Sequence, residues 1–282
     1  MESASGLRMN LSFQRRNSPT VFAAAVLFAL WCPAIWAQAP FDTDDTNVAA
    51  RGKWHLEANN EYDVLQASSF PSERQNTANF KVSYGIWDNL EVGFDNQLIG
   101  IYNAAAPGVP RTAFGYGDID LSVKWHFYKE NGGSWLPSLG ASFNLELPTG
   151  DERKQLGSGI VDYYLNTMAQ KALTEKTTLR LNGGLYFAGN TETGVVGIKT
   201  HKGVVYTGSI SLVRDFTKKL DLGVELFGAV SKNFDLGRGQ LQTQVGGNYH
   251  ITDKLSIDFG VITGFYQSSP RVGPVIGFSK DF

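Results

Sequence analysis

Four short segments of the 282-residue chain share one pattern: Ile86-Trp87-Asp88-Asn89-Leu90, Leu173-Thr174-Glu175-Lys176, Phe216-Thr217-Lys218-Lys219-Leu220 and Ile251-Thr252-Asp253-Lys254-Leu255. Each is a tight polar turn between two runs in which apolar and polar residues alternate. Longer, irregular stretches separate these units, so tight and loose connections alternate along the chain. Period-two alternation marks strands with one wet and one dry face. Short turns at one end and long loops at the other are the rhythm of an up-and-down barrel in an outer membrane. The pattern therefore predicts an all-β fold, a transmembrane antiparallel up-and-down β-barrel.

The period predicts about twelve strands, and an even number returns both ends of the barrel to one rim. The first, near Gly52–Val64, sets Trp54, Leu56, Ala58 and Tyr62 against His55, Glu57, Asn59 and Glu61. The second, near Thr77–Ile86, alternates Ala78, Phe80, Val82 and Tyr84 with Asn79, Lys81 and Ser83. In the fourth, Ile119, Leu121, Val123, Trp125 and Phe127 oppose Asp118, Asp120, Ser122, Lys124 and His126. The others fall near 90–101, 138–147, 161–170, 177–187, 204–214, 220–230, 239–250, 255–265 and 274–282. These lengths are close to the roughly 9–11 residues that a tilted strand needs to cross a bilayer. A misread weak strand would make the number ten or fourteen. Loops near 65–76, 102–116, 148–160, 188–203, 231–238 and 266–272 then face outward, while the tight turns and Lys129–Ser134 face the periplasm.

Composition permits this fold. The apolar fraction is 42%, and no apolar run of about 18 residues follows the N-terminal region, which excludes spanning helices there. Strands need only every second residue to be apolar. Residues 1–37 read as a cleaved signal peptide, with Arg8, Arg15 and Arg16 as the basic region and Val21 to Leu30 as the apolar run. Small residues Ala34, Ala37 and Ala39 follow, and cleavage is placed after Ala37. Residues 38–51 are then a periplasmic N-terminal segment, and 52–282 the barrel. Cys32, the one cysteine, falls in the leader, so disulfides and Cys metal sites are excluded from the mature chain. Without the leader 22 basic residues face 26 acidic ones, a net charge near −4 that argues against nucleic acid as a partner.

A soluble sandwich would show the same period, since it too has one wet and one dry face. The asymmetry of turn lengths, the export signal and the gathering of aromatics at strand ends favour lipid. Trp54, Tyr84, Trp87, Trp125, Phe127, Phe216, Tyr249 and Phe282 form one expected girdle, with Tyr62, Tyr102, Phe187 and Phe265 near the other. Asn60, Asn96 and Lys280 fit badly, because they fall on the nominal lipid face.

If apolar positions face lipid, the alternate positions face the lumen. Acidic candidates there are Glu57, Glu61, Glu91, Asp95, Asp118, Asp120, Glu146, Asp162, Asp221, Glu225 and Asp258. The basic ones are Lys81, Lys124 and Arg180. All but Glu61, Lys81, Asp221 and Asp258 are expected to line a pore. Carboxylates left unpaired require water or cations, so the imbalance predicts a hydrated, cation-preferring lumen. A salt-bridged plug is the competing reading. Twelve strands lie between the eight that enclose only side chains and the 16 or so that enclose an aqueous channel.

No catalytic constellation emerges. Nucleophilic catalysis needs a Ser, Thr or Cys beside an oriented His. His55, His126 and His250 project into the lumen near the periplasmic rim, and His201 lies in an outer loop. Neither a metal nor a cofactor is expected. The cluster Asp42-Thr43-Asp44-Asp45-Thr46 lacks the Gly and distal Glu of a calcium loop. A solvated tail, or one folded under the barrel mouth, is expected instead. Arg74, Arg111, Arg153, Lys154, Lys199, Lys202, Lys232 and Arg271 in the outer loops suit either lipopolysaccharide contact or simple solvation. The last strand, ending in Phe282, is the expected contact for the barrel-assembly machinery.

Several stretches resemble a family of outer-membrane barrels labelled "MetA-pathway of phenol degradation". They are Pro40-Phe41-Asp42-Thr43-Asp44-Asp45, Gly115-Tyr116-Gly117-Asp118-Ile119-Asp120-Leu121-Ser122-Val123-Lys124-Trp125, Leu147-Pro148-Thr149-Gly150-Asp151, Leu156-Gly157-Ser158-Gly159 and the Thr252-Asp253-Lys254-Leu255 kind of turn. The resemblance spans essentially the whole mature chain and carries no assigned functional residues. It implies an outer-membrane transporter in a Gram-negative bacterium that passes phenolic or other aromatic compounds. Tyr164, Tyr186 and Phe227 are the inward-phase rings. The expected function is a passive channel for small solutes; a closed barrel acting through its outer loops is the alternative.

Overall fold

A computed structural model describes residues 40–132, 135–200, 203–231 and 238–282. The leader read over 1–37 with Cys32, and also His201, Lys202 and Lys232, lie outside the described residues. The strands are β1 (Trp54–Val64), β2 (Ser72–Trp87), β3 (Leu90–Asn103), β4 (Thr112–Tyr128), β5 (Ser138–Leu147) and β6 (Asp162–Thr174), followed by β7 (Thr177–Phe187), β8 (Val204–Asp215), β9 (Leu220–Ser231), β10 (Gln240–Thr252), β11 (Leu255–Gly264) and β12 (Gly273–Asp281). Each pairs antiparallel with its sequence neighbours, and β1 pairs with β12 to close the barrel. Closure leaves no strand edge unpaired, which a sheet in hydrocarbon requires.

The connections at 88–89, 175–176, 216–219 and 253–254 are tight, with 129–137 longer at the same rim. Those at 65–71, 104–111, 148–161, 188–200 and 265–272 make the opposite rim, where β9 ends at Ser231 and β10 begins at Gln240; 232–237 lie outside the described residues. Large apolar side chains stand exposed all round the outside, among them Phe80, Phe94, Leu121, Phe143, Leu165, Leu181, Leu212, Val224, Val261 and Ile276. A soluble monomer seldom exposes a continuous apolar band of this kind; a bilayer-spanning barrel must. Trp54 and Tyr84 pack at 4.7 Å, and Trp125 and Phe127 at 5.3 Å, on the short-turn rim.

The polar residues on the outer wall are accounted for by local partners. Asn60 and Asn76 exchange two amide hydrogen bonds at 3.0 and 2.9 Å across β1 and β2. Lys280 Nζ lies 4.5 Å from the centre of the Phe282 ring, near the rim, where its stem can snorkel. Asn96 donates to the Asp118 carbonyl at 3.4 Å beside a register shift between β3 and β4. At that bulge the consecutive residues Gly117 and Asp118 are both buried, while Phe114 and Tyr116 on one side and Leu121 and Val123 on the other face outward. Gly117 sits close against its neighbours there, since a Cβ would lie 2.8 Å from Gln97 Oε1 and 3.1 Å from Ile99 Cδ1, and the Gln97 side chain would have to shift. The strand thus begins at Thr112, where the sequence predicts loop. A bulge reverses the in–out phase, and a strict period cannot follow it.

Candidate functional site

The N-terminal segment does not form a solvated tail. Pro40–Ala49 enters the barrel from the short-turn rim and runs against the inward faces of several strands. Its backbone donors are taken up by wall side chains: Asp42 N–H donates to Glu225 Oε1 at 3.2 Å, Thr43 N–H to Glu225 Oε2, Asp44 N–H to Asn182 Oδ1 at 2.6 Å and Ala49 N–H to Glu91 Oε2. Gln244 donates to the Pro40 carbonyl at 2.7 Å, and Asn182 to the Asp44 carbonyl at 2.9 Å. A non-regular segment can be buried only if its peptide groups are satisfied in this way. Space for Phe41 comes from Gly223, where a Cβ would lie 2.9 Å from the ring.

Charge holds the segment as well. Lys124 Nζ lies 3.3 Å from Asp44 and 3.4 Å from Asp45, and Arg180 Nη2 lies 3.6 Å from Asp45. Two of the three inward bases are thus engaged by the acidic motif, and Lys81 lies 4.0 Å from Glu57.

From the opposite rim, two loops fold inward. Leu156 of 148–161 packs on Ile99, Ile101 and Ala113, with Val195 of 188–203 beside it, while Ile198 joins Val205 and Ala229. Asp118 anchors the first loop, accepting from Gly150 N–H at 2.8 Å and from Ser158 N–H at 2.6 Å. Thr149 Oγ1 adds a bond of 3.1 Å to the Gly117 carbonyl. Asp162 accepts from Asn190 N–H at 3.3 Å and so fixes the start of the second. Glu192 of this loop accepts from Gln240 and, at 3.3 Å, from Gln242. Gln242 also donates to Asp42 at 3.0 Å, so one side chain touches both inserted elements.

Between these elements lies a cavity of about 370 Å3. Of the sequence-predicted residues, Glu57, Glu91, Asp95, Asp120, Lys124, Glu146 and Asp162 stand on its wall. Asp118, Arg180 and Glu225 do not; they hold loop or N-terminal backbone and charge, as above. Sequence reasoning missed Asp63 and Glu192, both on this wall. Asp63 shares the phase of Glu57 and Glu61, whereas no period marks a loop residue. Tyr164 and Tyr186, directly opposed across β6 and β7, stack at 3.9 Å and 11° on the same wall. His55 bonds Asp281 and Glu57, and His250 bonds Asp221, each at the short-turn end. Among the described residues no group of three His, Cys, Asp or Glu could hold a metal.

The inserted elements carry opposed pH responses. Burial pushes the Asp45 carboxyl up, but Lys124, Arg180 and the Asn47 hydrogen bonds outweigh it and hold it below the ordinary range. Its contribution to seating is present above the usual Asp pKa and is lost as pH falls through the lowered value. Burial raises Asp42 despite its Gln242 bond, and burial plus repulsion from Asp42 and Glu61 raises Glu192 well above a usual Glu. These two suit the seated arrangement while protonated and oppose it once pH exceeds their raised values. Ionic current should therefore be smallest at intermediate pH and rise on both sides. A single-channel series at fixed ionic strength checks this, and a monotonic profile rejects it.

A closed twelve-stranded antiparallel barrel with an apolar outer wall, an acidic lumen and inserted segments is a membrane-spanning β-barrel. The chain belongs to the family described as "Putative MetA-pathway of phenol degradation", which it matches over residues 37–279. Among solved structures it is similar to the COG4313 outer membrane channel from Pseudomonas putida F1, at 15% identity and TM-score 0.67, covering 86% of this chain and 100% of that one. The KdgM porin follows at 13% and 0.53, covering 81% and 99%, and the NanC porin at 10% and 0.53, covering 80% and 98%. These likenesses show a shared fold. No curated protein sequence matches.

Proposed function

We propose that this protein is a channel of the Gram-negative outer membrane for passive passage of small solutes, cations and neutral molecules in preference to anions. The observation that carries this is the acidic wall. Around the cavity Glu57, Glu91, Asp95, Asp120, Glu146 and Asp162 outnumber Lys81 and Lys124, and Lys124 is engaged by Asp44 and Asp45. Low-dielectric walls of one sign of charge concentrate counter-ions and repel co-ions. The family description and the rings of Tyr164, Tyr186 and Phe227 support phenolic or other aromatic compounds among the solutes. The outer-loop residues Arg74, Arg111, Arg153, Lys154 and Arg271 would meet lipopolysaccharide, and β12 the barrel-assembly machinery. Neither a cofactor nor a catalytic group enters this reading.

Reversal potentials across a salt gradient in a planar bilayer test it: cation preference is expected, and anion preference overturns the electrostatic part. Asp120→Asn should weaken the preference, because Asp120 faces the cavity. Asp118→Asn should instead loosen the loop at 148–161 and change conductance more than selectivity. A liposome-swelling panel of sugars, amino acids and phenols addresses the solute, with faster entry of phenols expected. The occlusion from both rims favours one second reading, a closed barrel that works through its outer loops. No steady current would establish it.

A further inference from the structure

A ligand for the lumen cavity can be read from its unmatched hydrogen-bonding groups. Asp63 Oδ1, Gln97 Oε1 and Asn166 Oδ1 lie on residues at most 8% exposed that line the cavity, and none of these oxygens has a donor. The Asn166 amide nitrogen donates to Asn182 at 3.5 Å, which fixes the oxygen as the unmatched atom. Unmatched buried acceptors are costly, and several around one cavity call for a donor-rich occupant. The Asp63 carboxyl shares a side-chain hydrogen bond with Glu61, which leaves Oδ1 unmatched, and lies within electrostatic reach of Glu192 and Asp42, so four carboxyl groups crowd this end of the cavity. Lys81 and Lys124 stand on the cavity wall but are drawn to Glu57, Asp44 and Asp45. An occupant of this end should therefore bring positive charge as well as donors. Across the lumen from β1, the Tyr164–Tyr186 stack on β6 and β7 supplies ring faces to the same cavity, which attract both an aromatic body and a cation.

We propose that the cavity binds small aromatic ammonium compounds, in which a protonated primary amine meets the Asp63 end and a benzene ring packs by the tyrosine pair. The proposal deepens the channel reading and rests on it, since the occupant is the solute in passage. A primary ammonium offers three N–H donors and one charge, against one donor and no charge for a phenol. An anion offers neither.

The test uses the full-length protein, purified in detergent for calorimetry and reconstituted for current measurements. The probes are 2-phenylethylammonium, the neutral 2-phenylethanol and the ringless ethylammonium. Calorimetry should give phenylethylammonium a Kd roughly tenfold or more below that of either control, the size of one charge-assisted contact. Asp63→Asn and Tyr186→Leu should each remove most of that advantage. Heat-modifiable migration on a gel reports whether each variant is folded, and either variant alone suffices if the other does not fold. Equal affinity for the neutral alcohol overturns the role of charge, and equal affinity for ethylammonium overturns the role of the rings. Folded variants with unchanged affinity overturn the assigned residues. Absence of potassium current with binding intact would sink the channel reading and leave the site standing.

Discussion

Replacing residues 42–49 with a Gly/Ser stretch of equal length is expected to raise single-channel conductance severalfold while leaving the barrel folded. The reason is a division of labour between two sets of hydrogen bonds. The wall is held by the antiparallel ladders of twelve strands, none of which uses this segment as a partner strand. The segment is held by side chains alone: Glu225, Asn182 and Glu91 on its N–H groups, with Lys124 and Arg180 on its carboxylates. A Gly/Ser sequence keeps the length and loses the charges, and glycine costs more entropy to order than any other residue. Cation preference should fall in the same variant. Three acids leave the lumen with Asp42, Asp44 and Asp45, and Lys124 and Arg180 lose the partners they have in that segment. Bilayer recordings of conductance and reversal potential check both expectations together. Unchanged conductance would mean that the inserted loops form the narrowest point, and the segment would lose its assigned role.

Period-two alternation made the barrel legible because lipid and lumen impose one rule on every strand. Strands 138–147 and 177–187 fall at the observed ends. The start of β4 was illegible for a physical reason: the bulge at Gly117–Asp118 turns two consecutive residues inward, and the phase read from Asp118 onward gives the wrong face for Ala113 and Gly115. Phase also named the inward carboxylates, yet it could not say which of them are committed. Asp118, Asp162 and Glu225 accept from backbone 28 to 183 residues away, and no local pattern encodes such partners. The cluster Asp42–Asp45 has no period, which leaves a solvated tail and a segment folded under the barrel mouth equally open, although its charge complements the few inward bases that hold it inside the lumen. The resemblance quoted Gly115–Trp125, Leu147–Asp151 and Leu156–Gly159 as separate stretches. In the fold, Gly117, Asp118, Thr149, Gly150 and Ser158 form one hydrogen-bonded unit.

Lys124→Met is the substitution expected to disturb the seated segment most. Lys124 is buried with Nζ 3.3 and 3.4 Å from Asp44 and Asp45, and Met keeps its length while removing the charge. Breaking a buried ion pair by removing one partner costs about 3–5 kcal/mol, because the remaining charge stays desolvated. Asp45 would keep Arg180 at 3.6 Å, so the loss should fall toward the lower end and appear as frequent opening. Asp45→Asn alone should also promote opening, since it leaves two cations facing a neutral amide. The double variant removes the mismatch on both sides and should open less often than the sum of the single effects predicts. The coupling from open-to-closed ratios should be about 1–3 kcal/mol. Strict additivity would show that Lys124 and Asp45 do not act as a pair. The seating would then rest on the hydrogen bonds that Glu225 and Asn182 accept from the segment's backbone, and Glu225→Gln would become the more damaging change.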